Sequence, residues 1–184
     1  MKEYLAFLRA INVGGHAIVR MSDLRDAFAA AGCQGVRTYI QSGNVIFASP
    51  AENPAGLFDE IRVKLRELLG QEPGVLFRAA QEIERLVAAD PFQAYDGEAD
   101  AKRNVAFLAQ KPRRKPRLPL LSAEEALEAF ALKNLEVFIV SRRKKNGFYG
   151  FPNSFLEKEL GVSATSRNWT TLTKMAALLQ SGND

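Results

Sequence analysis

Few side chains in this sequence are suited to chemistry at neutral pH, and they are scattered. The single histidine, His16, follows Gly14-Gly15, and the single cysteine, Cys33, stands beside Gly32. A lone imidazole is a candidate general base. It has no cysteine beside it and no carboxylate partner in sequence, so no nucleophilic pair or Ser/His/Asp set assembles. One Cys and one His fall short of a Cys/His zinc site, and a single Cys allows no intrachain disulfide. No metal and no cofactor are expected, and the catalytic residues, if any, are unknown. Cys33 reads as a small buried residue. Glu124-Glu125 and the Asp23/Asp26 pair read as helix-start and helix-surface charge.

Polar residues are more concentrated at the ends of apolar runs. Arg9, Asn12, Gly14 and Gly15 follow one such run, and Tyr39, Gln41, Ser42 and Asn44 surround a break in another. Glycine-rich backbone, an Arg fork and amide side chains suit an anion or a phosphate. Asn-Val-Gly-Gly is neither the P-loop nor the dinucleotide fingerprint, so the motif is unspecific. The plain alternative is turn geometry, with Arg9 on a carboxylate. A second group is Arg167, Asn168, Trp169 and Lys174 around a helix start, where free N–H groups favour anions. There the plain alternative is a cap by Asn168 or Thr170, with Trp169 in the core.

Two basic loops add to this. Lys111–Arg117 holds five cations and two prolines, and Arg142–Lys145 holds four cations. Such loops neutralise nucleic-acid phosphates, and Phe148, Tyr149 and Phe151 beyond the second could stack on bases. The string Lys145–Phe151 has a passing likeness to the RNA-recognition signature. That signature belongs on the third strand of a split βαβ unit, where Asn44-Val45-Ile46-Phe47 does not match it. A solvated basic loop is the commoner case.

The elements that must position these residues follow from periodicity. Tyr4–Ile11 reads as a strand. Ser22 reads as the cap of a helix carrying Leu24, Phe28 and Ala31, with Gly32 as its stop. Val36–Gln41 and Asn44–Ala48 are β-rich runs split by Ser42-Gly43, a two-residue hairpin signal. Asn53 caps a helix that starts at Pro54, lines up Leu57, Ile61, Leu65 and Leu68, and ends at Gly70. Val75–Arg78 is a fourth strand. This β-α-β-β-α-β order is the ferredoxin-like pattern, which puts the third strand between the first and second. It gathers Arg9, Asn12, Gln41, Ser42 and Asn44 on one rim. The central strands are apolar on both faces, so helices are expected on one and the second half on the other.

The second half opens with a helix over Gln81–Ala89, broken at Asp90-Pro91, and a strand at Asn104–Leu108. Ser122-Ala123-Glu124-Glu125 is a capping box that predicts a helix through Leu132. Glu136–Val140 and Phe148–Phe151 are expected to pair as a hairpin. Phe155, Leu156 and Leu160 fall on a short helix stopped by Gly161, and a last helix starts near Thr170. The expected order after the opening helix is β-α-β-β-α-α, an imperfect copy of the first half with no matching sequence repeat.

The chain has 184 residues, 47% hydrophobic and 25% charged, a globular balance that excludes disordered, collagen-like and coiled-coil classes. Its net charge of +4 hides an asymmetry. Residues 1–100 carry 10 basic and 14 acidic side chains, and residues 101–184 carry 15 and 7. A basic half points to an anionic partner. The apolar run near Met1 is too short for a signal peptide, and no run of roughly 20 apolar residues suits a membrane span. With an unpaired Cys33, a cytoplasmic protein without membrane contact is expected.

The strings Arg9–Gly15, Met21…Leu24-Arg25, Thr38–Val45, Asp90-Pro91-Phe92, Leu156-Glu157-Lys158…Leu160-Gly161-Val162 and Arg167-Asn168-Trp169…Thr171…Thr173-Lys174 resemble the bacterial family of unknown function DUF 1697. The resemblance spans nearly the whole chain. It implies a soluble α+β protein whose first half is ferredoxin-like, and it implies no activity. Family members often carry a Gly-Arg-Ser-Lys-Leu-like stretch before the Leu-Glu-Lys helix. Here Gly150–Phe155 stands in its place without the basic pair.

The expectation is therefore an α+β chain: a ferredoxin-like βαββαβ domain at 1–79 packed against a smaller, basic α+β domain at 80–184. Its expected function is non-catalytic binding of an anionic ligand, with nucleic acid favoured. The candidate contacts are Arg9, Asn12, Gly14, Gly15, Tyr39, Gln41, Ser42, Asn44, Arg167, Asn168, Trp169 and Lys174. The alternatives are an enzyme on a small phosphorylated or nucleotide-like substrate, and a protein-interaction module.

Overall fold

Alternation of apolar residues on both faces sets the first strand, β1 (Lys2–Leu8), in the middle of a sheet. A computed structural model describes residues 1–12, 18–50, 53–95, 98 and 100–180. The chain is α+β and divides into two compact units, Met1–Glu84 with Leu178–Asp184, and Arg85–Ala177.

The first unit runs β1, α1 (Met21–Ala30), β2 (Gln34–Tyr39), β3 (Asn44–Ser49), α2 (Ala55–Leu69), β4 (Val75–Ala79), and it contains the start of α3 (Ala80–Ala89). Its sheet is antiparallel in the order β2-β3-β1-β4, with the third strand between the first and second. Tyr4, Ala6, Leu8, Val45 and Phe47 form one core with Leu24 and Phe28 of α1 and Ile61 and Leu65 of α2. Leu5, Phe7 and Ile46, on the opposite face, are buried as well.

Local starts and turns differ from expectation. Helix α1 begins one residue before Ser22, so the Ser22 hydroxyl sits in the first turn and donates to Asp23 rather than capping. Asn53 does accept the Ala55 N–H at 3.1 Å, but Pro54 stands at the cap position, just before the helix. The hairpin loop has four residues, because Tyr39 pairs with Asn44 and Ile40 (φ 50°) and Gly43 (φ 72°) make the turns.

The second unit runs from the end of α3 through β5 (Lys102–Leu108), β6 (Leu120–Ser122), β7 (Leu127–Lys133), β8 (Glu136–Ser141), α4 (Pro152–Leu160) and β9 (Ala164–Asn168) into α5 (Trp169–Gln180). Its antiparallel sheet has the order β6-β7-β8-β5-β9. The helix expected from Ser122 to Leu132 is instead a turn and the strand β7. Ser122 Oγ accepts the Glu125 N–H at 3.2 Å, as in a capping box, but Ala126 (φ 51°) then turns the chain. Good helix formers yield here to burial of period two. Leu127 and Ala129 enter the core under α4, while Phe130 meets Phe92 and Phe138. The strand expected at Phe148–Phe151 is reduced to one bridge, Arg143 with Tyr149. Residues Ala164–Asn168, read as a helix approach, form an edge strand on β5.

The two sheets repeat one plan. Lys2↔Ser49 and Phe7↔Asn44 of β1 and β3 correspond to Lys102↔Ser141 and Phe107↔Glu136 of β5 and β8. Leu5↔Arg78 corresponds to Val105↔Arg167. The flanking bonds repeat too: Leu8 N–H to Gly43 O and Arg9 N–H to Gly74 O match Leu108 N–H to Leu135 O and Ala109 N–H to Ser163 O. A short sequence repeat accompanies the plan, since Lys2, Ala6, Phe7 and Leu8 recur as Lys102, Ala106, Phe107 and Leu108. Where the first unit places α1, the second places the loop Lys111–Arg117 and β6.

Candidate functional site

Strand ends bring the rim residues of the first unit together, and side-chain hydrogen bonds lock them there. Asn12 (φ 55°) donates Nδ2 to Val19 O at 3.1 Å and to Gln41 O at 2.9 Å, and its Oδ1 accepts the Val19 N–H at 2.8 Å. Asn44 is fully buried and donates to Tyr39 O at 3.1 Å and to Ser42 Oγ at 2.8 Å. Arg9 lays its aliphatic stem over Gly74. Asn12, Tyr39, Gln41, Ser42 and Asn44 therefore share one rim, where both amides fasten loops. Gly14, Gly15 and His16 lie outside the described residues.

In the second unit, Arg167 lies on β9 and is buried. Its guanidinium donates to Thr165 Oγ1 at 3.0 Å and Ser166 O at 2.9 Å, and burial pushes its pKa down to about 10. Asn168 caps α5 by accepting the Thr170 N–H at 2.9 Å. Trp169 is 9% exposed and packs 5.2 Å from Phe92. Lys174 is exposed on α5. Of these four, Asn168 and Trp169 line open space.

That space consists of two clefts sharing Lys102 and Asn168. One, of about 320 Å³, is lined by Glu98, Lys102, Arg103, Asn168, Trp169 and Thr170. The other, of about 430 Å³, lies between the start of β5 and the segment 147–152, with Asn104 and Ser141 also in its lining. Asn104 Nδ2 donates to Ser141 Oγ at 3.1 Å, so the floor is polar and ordered. Phe148 and Phe151 stand at this cleft with 73% and 75% of their surface exposed. Gly150 makes that placement possible: a Cβ there would meet the Glu125 backbone carbonyl and, at 2.6 Å, its carboxylate.

Tyr149 is differently placed. Its hydroxyl donates to Asp100 O at 2.8 Å, Lys102 Nζ sits 4.1 Å from its ring centroid, and the Arg143 guanidinium is 5.3 Å away. The ring is engaged with cations. Phe148 and Phe151 offer the open aromatic surface.

The basic loops are equally unlike. Arg142 binds Glu98 through two bonds of 2.8 and 2.9 Å and Glu128 at 2.8 Å, which holds its proton more tightly than usual. Lys144 pairs with Glu125 at 3.3 Å, and Arg143 with Asp100 at 3.6 Å. Within this loop, Lys145 is the exposed cation outside these pairs. All five cations of Lys111–Arg117 are exposed. The Arg142–Lys145 loop lies at the Lys102 end of β5, because Lys102 pairs with Ser141, whereas Lys111–Arg117 leaves the strand at its Leu108 end.

Lys102 and Asn104 are absent from the contacts expected on sequence grounds. The signal that finds Lys102 is the recurrence of Lys2…Ala6-Phe7-Leu8, which sets it at the open start of a central strand, two residues before Asn104. Among the described residues, no group of three His, Cys, Asp or Glu side chains is placed to hold a metal ion. Burial pushes the Cys33 thiol up to about 12, which leaves it protonated and unreactive at neutral pH. Among the described residues, no helix is long and apolar enough to cross a membrane.

An α+β chain of two antiparallel sheets, with a cleft beside exposed aromatics, is the class that fold and site define. The chain belongs to the family described as protein of unknown function (DUF1697), whose model matches residues 1–138. Its fold is similar to that of the conserved bacterial protein SP0830 from Streptococcus pneumoniae. The two share 20% sequence identity with a TM-score of 0.67, over 97% of this chain and 98% of that one. No curated protein matches the chain.

Proposed function

We propose that the second unit binds the nucleotides of a single-stranded nucleic acid in the cleft between the start of β5 and the segment 147–152, without catalysis. The observation that carries this reading is the pair Phe148 and Phe151, 73% and 75% exposed, beside Lys102, Asn104 and Asn168. An exposed aromatic face stacks on any base, a lysine takes a phosphate, and amides serve base or sugar edges. Asn168 carries over from the expected contacts, and Trp169 lines the adjoining cleft. Arg167 positions β9, and the amides of the Arg9–Asn44 rim hold loops. The two domains and the cytoplasmic setting belong to the same reading.

The test is binding of a labelled mixed-sequence single-stranded oligonucleotide at low and moderate salt, followed by anisotropy and by Trp169 fluorescence. Saturable binding that weakens with salt is expected. Phe148→Ala and Phe151→Ala should each weaken it by roughly 5- to 100-fold, from the usual value of base–aromatic stacking. Binding unchanged by both substitutions, or absent at low salt, would sink the reading. A nucleotide-like substrate for an enzyme would instead show turnover together with binding.

A further inference from the structure

We propose that the loop Lys111–Arg117 is a second, purely electrostatic contact for the same strand, so that the ligand is an oligonucleotide spanning both ends of β5 rather than a mononucleotide. This rests on the cleft reading above. The loop departs from the repeat: the first unit covers the corresponding connection with the amphipathic helix α1, whereas the second leaves an open chain there. Lys111, Arg113, Arg114, Lys115 and Arg117 are all exposed. No ion pair or side-chain hydrogen bond joins any of the five to a described residue. Arg142, Arg143 and Lys144 each sit on a carboxylate, so this chain neutralises three of the four cations of one basic loop and leaves all five of the other open.

Pro112 and Pro116 bracket the central three cations and fix φ on either side, which limits the freedom lost on binding. Clustered cations with nothing aromatic among them contact phosphates without reading bases. Position then sets ligand length. The cleft lies at the Lys102 end of β5; the loop leaves β5 at its Leu108 end, roughly 20 Å away along a seven-residue strand, and rejoins the sheet at Leu120, three strands across from β5. A single nucleotide in the cleft does not reach Lys111, and a strand of several nucleotides does.

The experiment compares fluorescein-labelled oligothymidylates of about two and about twelve nucleotides on the full chain, by anisotropy across a salt series. The longer strand should bind at least tenfold more tightly and with a steeper salt dependence. The triple variant R113A/R114A/K115A should lose that gain while dinucleotide binding holds. Its log–log salt slope should fall by about 2, since each phosphate contact on a single strand contributes about 0.7. If the dinucleotide binds but length makes no difference, or the variant keeps the affinity and slope of the native chain, the loop proposal is overturned and the cleft reading stands. If neither oligonucleotide binds, both fall. A duplex that binds as tightly as the single strand also overturns the assignment.

Discussion

Cys33 illustrates how far a side chain's setting decides its chemistry. With its thiol pushed up to about 12 by burial, only about one molecule in 10⁴ carries a thiolate at pH 8. Ellman's reagent should leave the native chain untouched and titrate one thiol in denaturant; rapid native labelling would show that the site opens. Glu98 shows the opposite shift. Its hydrogen bonds to Arg142 hold the carboxyl below its ordinary value of 4.5. A carboxylate with a lowered folded pKa stabilises the fold above its unfolded value, and that contribution fades as pH falls through the folded value. Because the Glu98 side chain keeps 39% of its surface in solvent, the effect is small. Glu98→Gln should lower Tm slightly near neutrality, and the difference from the native chain should close as pH drops below about 4.5. A difference that persists in acid would point to poorer packing instead of a missing charge.

Gly43 carries the corresponding argument for an element. It turns the β2–β3 hairpin at φ 72°, and a Cβ there would lie 2.7 Å from Ile11 Cδ1 and 2.9 Å from Leu8 Cβ. Gly35 has φ 56° but open space around it. Left-handed backbone alone costs a side chain about 1–2 kcal/mol, and overpacking a core adds about 1–3 more. Gly43→Ala should therefore cost about 2–5 kcal/mol, a fall of roughly 5–20 °C in Tm, and Gly35→Ala only the backbone share, about 1–2 kcal/mol. Equal losses would mean that the neighbours of Gly43 yield freely. Elements of this unit were legible because local signals and burial agree: Gly70 ends α2, and Leu57, Ile61 and Leu65 face inward. In the second unit they conflict. Ser122–Leu132 has the composition and cap of a helix, and only its partners β8 and Phe92 make it a strand, which no local pattern discloses. The expected strand at Phe148–Phe151 fails for a related reason, since Gly150 must approach Glu125 closely and Pro152 opens α4 at once.

Over the whole chain, counting charge and placing charge give different answers. The basic half and its two cationic loops were plain in the sequence, as were Phe148 and Phe151. The neutralisation of Arg142 was not, because Glu98 and Glu128 lie 44 and 14 residues away. Nor was the site's other half, because Lys102 and Asn168 meet only through the pairing of β5 with β9. Heparin chromatography separates the two descriptions, since Arg142→Ala and Arg114→Ala remove the same formal charge from a chain of net +4. A polyanion held by exposed cations releases counterions only where it touches, so removing a cation that it touches lowers the eluting salt concentration. Arg114→Ala should elute clearly earlier than the native chain and R113A/R114A/K115A earlier still, while Arg142→Ala should move little once circular dichroism has shown it folded. Equal shifts for the two single variants would mean that bulk charge governs retention. The Lys111–Arg117 loop would then be an ordinary solvated surface rather than the place where this molecule meets a polyanion.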